Sequence, residues 1–374
     1  MNGFVNDYLS AIAPHVSEAL ISPESFSDIN YVAQTLPSAI TDFFGFECRL
    51  GEKAAQADFL LSVRAAIGGR EILAGYKSEP SLPAANFNHP VWKKVRNFSR
   101  HWANPVSPLY ENADNIWLEF DLDQPPPEIP IPSLFFGVKQ TEANTIDYQW
   151  VNQTALQLLF GRSLPSQMEQ NLENCFKCLP SGAKVFQIGI MLARESEAVR
   201  ICIRGIKSDR ILEYLNSIGW SHEEPKLRTQ IAQLSGLVDR IDLDIDVGNV
   251  IYPKIGLECY VNPSVSQQSQ WELFLDYLVA NQLCLTKKRD ALLTYPGYSF
   301  EQLDSETWPT HLTNVSSLLG AGVMSFISRN IHHIKIVYQP KKPLEAKAYL
   351  SVSQGWLSKT LLKQHLKELH HASV

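Results

Sequence analysis

The sequence has little of what marks a membrane protein or a nucleic-acid binder. No apolar run approaches the roughly 18 residues that a transmembrane helix needs, so no membrane span is expected. The 33 basic residues are outnumbered by 39 acidic ones, and with a formal net charge of −6 nucleic acid is not an expected partner. Residues 1–20 lack the positively charged start of a secretory signal, and a cytoplasmic location is predicted.

Cysteine and glycine motifs are also sparse. Among the six cysteines, only Cys175 and Cys178 have the CxxC spacing, without a second zinc-ligand pair or a thioredoxin-like βαβ setting. No GxSxG, GxGxxG or P-loop pattern appears in its proper strand and helix setting. We therefore expect reduced, structural cysteines, and neither serine-hydrolase nor common nucleotide-binding chemistry.

What the sequence does contain is regular alternation. Five pairs of segments alternate apolar and polar residues with the period of two that is typical of β-strands. They lie at 43–50 and 58–66, 116–122 and 132–139, 183–192 and 198–206, 240–247 and 254–261, and 332–339 and 344–352. Segments with helical periodicity separate and follow them, including 28–41, 311–329 and 356–371. No long linker interrupts this order, which predicts a single domain over residues 1–374.

The two faces of the predicted strands differ. One face is apolar along nearly every strand and should be covered by helices. The other carries acids and bases in near balance, which an open two-layer sheet would leave in water and a closed barrel would turn inward. An open sheet of about ten strands tends to curl or split, and its edges need protection. We therefore expect an α/β fold with an antiparallel ten-stranded β-barrel, a polar lumen and a surrounding shell of α-helices in repeated α-β-β-α units.

The strand RIDLDIDV, residues 240–247, places three carboxylates on the polar face: Asp242, Asp244 and Asp246. Such neighbours lie about 6.5–7 Å apart and repel one another unless they are paired. Arginines of the preceding strand pair, a hard cation with oxygen ligands, or solvent would each satisfy them. Alternatively, one carboxylate with a raised pKa could protonate an alkene, as an acid-initiated cyclase requires.

Five strand pairs that alternate with helices around a polar lumen resemble the prenyltransferase barrel, or ABBA fold, of dimethylallyltryptophan synthases and related aromatic prenyltransferases. Three segments resemble strands of that family: ENADNIWLEFDL at 111–122, PKIGLECYV at 253–261 and KPLEAKAYLSV at 342–352. The second departs from the family pattern, because Gly256 and Glu258 stand where bases are expected and only Tyr260 matches.

The resemblance implies a prenyl diphosphate donor and an aromatic or peptide acceptor as partners. It implies that Glu119 holds the acceptor, and Asp121 on the same strand face is the second candidate catalytic carboxylate. The candidate substrate-binding residues supply cations for the diphosphate, aromatic faces for an allyl cation, and neighbouring polar groups. They are Arg49, Arg64, Trp117, Arg200, Arg204, Lys254, Glu258, Tyr260, Lys335, Lys347 and Tyr349. Magnesium is the candidate cofactor, with Asp242, Asp244 and Asp246 as its ligands.

Three functions remain open on the sequence. The first is prenyl transfer in specialised metabolism. The second is a terpenoid cyclase that uses a lumen carboxylate as its acid. The third is a binding protein that holds a peptide or small molecule in the lumen without catalysis.

Overall fold

The ten alternating segments form β-strands in a computed structural model of the chain, and one further short strand brings the number in the described residues to eleven. The structure describes residues 3–77, 81–139, 148–194, 196–222, 224–262, 267–301 and 308–360. The strands are β1 Phe43–Arg49, β2 Ala57–Arg64, β3 Ala113–Phe120, β4 Ser133–Val138, β5 Lys184–Ile190, β6 Val199–Arg204, β7 Arg240–Val247, β8 Ile251–Tyr260, β9 Gly297–Phe300, β10 Val323–Tyr338 and β11 Glu345–Ser358.

Ten of these strands close into an antiparallel barrel. Neighbours in sequence pair from β1 to β8, β8 pairs with β10, β10 with β11, and β11 returns to β1. Strand β9 lies outside the barrel, on the first half of β10. The predicted barrel is confirmed, and closure leaves its ten strands without a free edge.

In the described part of the chain, twelve α-helices surround the barrel. They are α1 Val5–Ile12, α2 Pro23–Ala33, α3 Gly69–Ala74, α4 Pro90–Trp102, α5 Pro108–Asn112, α6 Leu156–Phe160, α7 Ser166–Lys177, α8 Ile211–Ser217, α9 Glu224–Ser235, α10 Gln267–Ala280, α11 Thr286–Thr294 and α12 Thr310–Leu319. A π-helical turn, Val151–Ala155, leads into α6. Pro90 opens α4, as a first-turn proline should, and the Nδ1 atom of His89 accepts a hydrogen bond from the Val91 N–H at 3.2 Å.

The hydrophobic core fills the layer between the helices and the outward face of the barrel. Phe46, Phe59 and Phe120 stand side by side on β1, β2 and β3, with ring centroids 6.2 and 6.3 Å apart. Trp92 of α4 covers them and lies 6.5 Å from Phe120. Burial of each such side chain stabilises the fold by about 1.5–3 kcal/mol. Because the helices cover the apolar face of the barrel, the polar face must line the lumen.

The last strand pair differs from its prediction. The helix predicted over 311–329 ends at Leu319, and Gly320 turns the chain at φ 110°. The next residues, VMSFISRN, form the first half of β10 instead, since their β-branched and aromatic side chains suit a strand. Strand β11 likewise runs on to Ser358, so the start of the helix predicted over 356–371 is wrong, and residues 361–371 lie outside the described residues.

Other sequence predictions can also be compared with the structure. Helix α2 ends at Ala33, so the helix predicted over 28–41 is too long, and strand β9 was not predicted. The six cysteines are all free, as expected. Among the described residues, no helix is long and apolar enough to cross a membrane.

Candidate functional site

The lumen contains two adjoining chambers of different chemistry. The charged chamber has a volume of about 30 Å³ and the aromatic chamber about 230 Å³. Acids of the charged chamber are Glu47, Asp58, Glu119, Asp121, Asp244 and Asp246, and its bases are Arg194, Arg200, Lys254, Lys335 and Lys347. Rings of the aromatic chamber are Phe43, Trp117, Phe135, Phe186, Tyr260, His332, His333 and Tyr349. Glu119, Arg200, Lys335 and Tyr349 line both chambers and mark their boundary.

Each of the three aspartates of β7 is paired with at least one cation. Arg200 on β6 donates two hydrogen bonds to Asp246, at 2.8 and 3.1 Å. Asp242 accepts from Arg204 at 2.9 Å and from Arg240 at 3.0 Å. Asp244 forms an ion pair with Lys335 of β10. The strand pattern therefore marks a ladder of ion pairs, which is one of the three environments that the sequence left open.

These pairs set the electrostatics of the aspartates. Burial raises the pKa of Asp246, but the Arg200 charge more than offsets it, and the pKa lies below its ordinary value. Burial and the neighbouring Glu258 carboxylate raise the pKa of Asp244 despite its contact with Lys335. Asp244 therefore takes up a proton more readily than Asp246 does.

A magnesium ion would need several oxygen ligands facing one point. Among the described residues, no group of three or more His, Cys, Asp and Glu side chains has that arrangement. The three aspartates instead face separate cations along β7, and Asp242 is fully buried between Arg204 and Arg240. The side chains do not fit a three-carboxylate metal site, and magnesium binding there stays a prediction without structural support.

A second set of ion pairs lies across the charged chamber. Lys347 of β11 donates to Glu47 of β1 at 2.6 Å, and the Tyr349 hydroxyl donates to the same carboxylate. Burial raises the pKa of Glu47, but Lys347 and Lys335 outweigh it and hold the pKa well below its usual range. Glu47 therefore stays ionised and remains paired with Lys347.

Glu119 stands apart from these pairs. Its pKa is raised to about 8, first because of burial and then because of repulsion by Glu47. Its side chain points into the lumen at the boundary of the two chambers. At neutral pH this carboxyl group is mostly protonated, and it can donate a hydrogen bond or a proton toward either chamber.

Lys254 is the cation that the lumen neutralises least. No carboxylate within the described ranges forms a salt bridge with it, although it lines the charged chamber. Its pKa falls to about 8, first because of burial and then because of repulsion by Arg200, with Lys347 and Lys335 contributing. An anion that enters the charged chamber would relieve this repulsion, so Lys254 is a candidate anion-binding residue.

Arginine and aromatic faces build the other chamber. The Arg204 guanidinium lies over the Phe186 ring at 4.3 Å, and Arg240 lies over Tyr260 at 4.0 Å. Trp117 packs edge-on against Phe43, with centroids 5.6 Å apart. These flat walls suit a planar ligand and also the diffuse positive charge of an allyl cation.

The structure brings most of the predicted site residues together. Those that line a chamber are Trp117, Glu119, Asp121, Arg200, Arg204, Asp244, Asp246, Lys254, Glu258, Tyr260, Lys335, Lys347 and Tyr349. Arg49, Arg64 and Asp242 line neither chamber. Arg49 pairs with Asp58 at 3.2 Å and also with Asp123, and the half-exposed Arg64 pairs with Asp42 at 3.3 Å. Both arginines stand at strand ends, where the alternation still holds but the lumen has ended.

Several lumen residues were not predicted as site residues. Glu47 and Asp58 were assigned to the polar face without a role, and the alternation alone would have identified them. Arg194 lies between β5 and β6, outside any alternating segment, and donates to both oxygens of Asp121 at 2.6 and 2.5 Å. His332 and His333 were not among the predicted site residues, and both line the aromatic chamber.

Comparisons with known proteins point to the same fold. The sequence matches no protein-family model and no curated protein. Its structure is similar to the crystal structure of PriB in binary complex with product diphosphate, with 13% identity and a TM-score of 0.51 over 93% of this chain and 96% of that one. The apo form of prenyltransferase PriB matches with 12% identity and a TM-score of 0.50, over 92% and 94% of the two chains. The chain has the fold of the aromatic prenyltransferases, the ABBA barrel.

Proposed function

We propose that this protein transfers a prenyl group from a prenyl diphosphate to an aromatic acceptor. The observation that carries the proposal is the junction of the two chambers. A cluster of lysine and arginine adjoins a space of about 230 Å³ walled by aromatic rings. A prenyl diphosphate needs both environments, one on each side of the carbon–oxygen bond that breaks.

The charged chamber would receive the diphosphate. Arg200, Lys254 and Lys347 lie around it, and an anion would relieve the repulsion between Lys254 and Arg200. With a volume of about 30 Å³ and six acids against five bases, the chamber must first exchange its internal pairs for the ligand. The pKa values of Glu119 and Asp58 are raised to about 8 and about 7. Proton uptake by these two acids near neutral pH therefore costs little free energy. Protonation would then leave a net positive chamber.

The aromatic chamber would receive the prenyl chain and the acceptor. Tyr349 and Trp117 present ring faces and edges near the boundary, where positive charge develops as the diphosphate leaves. Glu119 lies at the same boundary, and from there its carboxyl group would orient a polar hydrogen of the acceptor. The PriB structure that shares this fold contains product diphosphate, which supports a diphosphate ligand for this barrel.

Calorimetric titration tests the donor half of this proposal. Dimethylallyl, geranyl and farnesyl diphosphates are added to the folded protein, with and without Mg²⁺. We expect binding without Mg²⁺, weakened by about 10-fold or more in Lys254→Met and Lys347→Ala. Lys177→Ala is the matched control because Lys177 lies on the exposed side of α7, where its side chain is 70% exposed and pairs with Glu173 on the same helix. No heat with any donor would contradict the proposal, and binding only with Mg²⁺ would restore the aspartates as ligands.

A second candidate function is an acid-initiated cyclase. The supporting observation is Glu119, whose pKa of about 8 keeps a carboxylic acid protonated at neutral pH next to an apolar, aromatic space. A cyclase would convert a polyene that carries no diphosphate and would lose activity in Glu119→Gln. Product formation from dimethylallyl diphosphate and an indole acceptor, with no conversion of farnesol, would exclude this alternative.

A further inference from the structure

Two successive histidines face the same chamber because β10 contains a bulge. Ile331 pairs with Leu350 and His333 pairs with Tyr349, which leaves His332 as an extra residue in the ladder with β11. The bulge interrupts the alternation, so His332 joins His333 on the lumen side while Ile331 and Ile334 pack into the core. His332 is exposed to the lumen, whereas His333 is buried between the rings of Tyr260 and Tyr349, at 4.9 and 4.2 Å.

The contacts of the two imidazoles fix where their protons lie. The Nδ1 atoms of His332 and His333 are 2.7 Å apart, so one must donate and the other must accept. The Nε2 atom of His333 lies 3.6 Å from the Glu258 carboxylate, beyond hydrogen-bond distance, and the negative charge of that carboxylate favours a proton on Nε2. His333 then accepts through Nδ1, and His332 donates from its own Nδ1. The remaining nitrogen, His332 Nε2, is left without a proton.

We propose that His333 and His332, beside the Glu258 carboxylate, form a proton relay whose outer end, His332 Nε2, is the general base of the aromatic chamber. The inference rests on the proposed function only for the substrate that supplies the proton. His332 is the catalytic residue of the relay, and His333 and Glu258 are positioning residues. The Tyr260 hydroxyl, which donates to Glu258 at 2.8 Å, holds the inner end in place.

The chemistry that requires such a base is the last step of aromatic prenylation. Once the allyl carbon has bonded to the ring, the ring carbon at that position still carries its hydrogen and the ring is positively charged. The carbon–hydrogen bond breaks, its electron pair returns to the ring, and the proton passes to His332 Nε2. Proton transfer within the relay spreads the new charge toward Glu258, and the proton leaves to water after product release.

Burial, together with neighbouring basic groups, keeps the two imidazoles neutral between turnovers. Burial lowers the pKa of His332, and burial, His332 and Lys335 lower that of His333 well below its ordinary value. The titratable and charged groups that face the pair from the neighbouring strands are Glu47 on β1, Arg204 on β6, Arg240 and Asp244 on β7, Glu258 and Tyr260 on β8, Lys335 on β10 and Tyr349 on β11. The carboxylates among them raise the two pKa values, but burial and the neighbouring basic groups outweigh them, so the neutral form that accepts a proton is favoured.

Nitrogen-15 NMR of the whole protein tests the relay without any substrate. We expect neutral His332 with a proton on Nδ1 and none on Nε2. His89 provides an internal reference with the opposite tautomer, since its Nδ1 accepts from the Val91 N–H. Glu258→Gln should mix the two tautomers of His332. A wild-type His332 that carries its proton on Nε2, or a tautomer that is unchanged by Glu258→Gln, would overturn the relay.

Turnover with dimethylallyl diphosphate and L-tryptophan tests the catalytic role. His332→Asn should lower product formation by about 100-fold, the range of general base catalysis, while donor binding is retained. A primary isotope effect with ring-deuterated tryptophan should appear in this variant. His311→Asn on α12 is the matched control. Equal rates in His332→Asn and wild type would overturn the catalytic role, whereas a wild type that forms no product contradicts the proposed acceptor and leaves the NMR result to decide the relay.

Discussion

The two chambers of the lumen solve the burial of polar groups in opposite ways. The charged chamber fills almost all of its space with ion pairs and keeps about 30 Å³, whereas the aromatic chamber keeps about 230 Å³ between rigid rings. Charges in a low dielectric must be paired, so the first chamber is neutralised from within until a ligand replaces those pairs. Aromatic rings need no partner, so the second chamber remains open. The charged chamber would therefore select a ligand by its charge, and the aromatic chamber would select a ligand by its shape.

The same contrast appears between two lysines of the charged chamber. Lys335 forms ion pairs with Asp244 and with Glu258, the latter at 3.6 Å, and these carboxylates raise its pKa in spite of burial. Lys254 pairs with no carboxylate of the described residues, and its pKa is lowered to about 8. Lys335 therefore stabilises the folded barrel, whereas Lys254 would bind the anion in the proposed function.

Replacing Lys335 should break this contrast most strongly. Lys335 is 6% exposed, and Lys335→Met leaves Asp244 and Glu258 buried without their cation. We expect the free energy of unfolding to fall by about 3–5 kcal/mol. Urea unfolding measures this free energy. In the control variant Lys177→Met, which removes an exposed ion pair with Glu173, the free energy of unfolding should change by about 0.5 kcal/mol or less. Similar small losses in both variants would show that the lumen ion pairs carry little of the stability.

Trp117→Ala should affect the aromatic chamber without disturbing the charged one. The side chain is partly open to the lumen and packs edge-on against Phe43, so its loss removes a wall of the cavity. We expect L-tryptophan affinity to fall by about 10-fold, or 1.4 kcal/mol, while pyrophosphate affinity is unchanged. Equilibrium binding of each ligand separately measures both. Loss of pyrophosphate binding as well would mean that the chambers are not independent.

Lys254→Met should sharpen the contrast between the two lysines. The folded-state pKa of about 8 lies below the ordinary value of 10.5, so charged Lys254 destabilises the fold below pH 8 and this penalty fades between pH 8 and 10.5. The variant should be more stable than wild type by about 1 kcal/mol at pH 7 and bind pyrophosphate about 10-fold more weakly. Unfolding and calorimetry measure the two effects. Destabilisation at pH 7 would contradict the assignment.

Proton uptake is the smallest expected effect and the most specific to the charged chamber. An incoming anion raises the pKa values of Glu119 and Lys254, both about 8, so pyrophosphate binding should take up protons near pH 8. Affinity should therefore rise as the pH falls from 9 to 7. Calorimetry in buffers of different ionisation enthalpy counts the protons, and Glu119→Gln should reduce the number. Binding that releases protons would contradict the electrostatic account.

The barrel could be predicted from the sequence because alternation records which side chains share a face. The ladder of Asp242, Asp244 and Asp246 follows from that pattern, and so do the arginine partners of Asp242 and Asp246 on the adjoining strand. Alternation does not show where the lumen ends, so Arg49 and Arg64 were assigned to it. It also fails at bulges, because one extra residue moves a side chain to the other face. His332 was missed for that reason.

The lengths of the last strands were the other feature that the sequence did not predict. The first half of β10 and the short strand β9 pair with each other outside the barrel, and no turn signal in the sequence fixes that pairing. The segment 323–330 also has apolar residues at spacings that suit a helix, so its assignment depended on the partner strands. Tertiary pairing with β11 over residues 351–358 decided for the strand.

The most direct test of the account is a crystal structure with a non-hydrolysable dimethylallyl diphosphate analogue. The account predicts the diphosphate among Lys254, Arg200 and Lys347, with Lys347 released from Glu47, and the allyl carbon at the boundary beside Glu119 and Tyr349. His332 should then face the space beyond that carbon. An analogue bound outside the lumen, or one with its prenyl chain in the charged chamber, would contradict the division of the lumen into an anion site and an acceptor site.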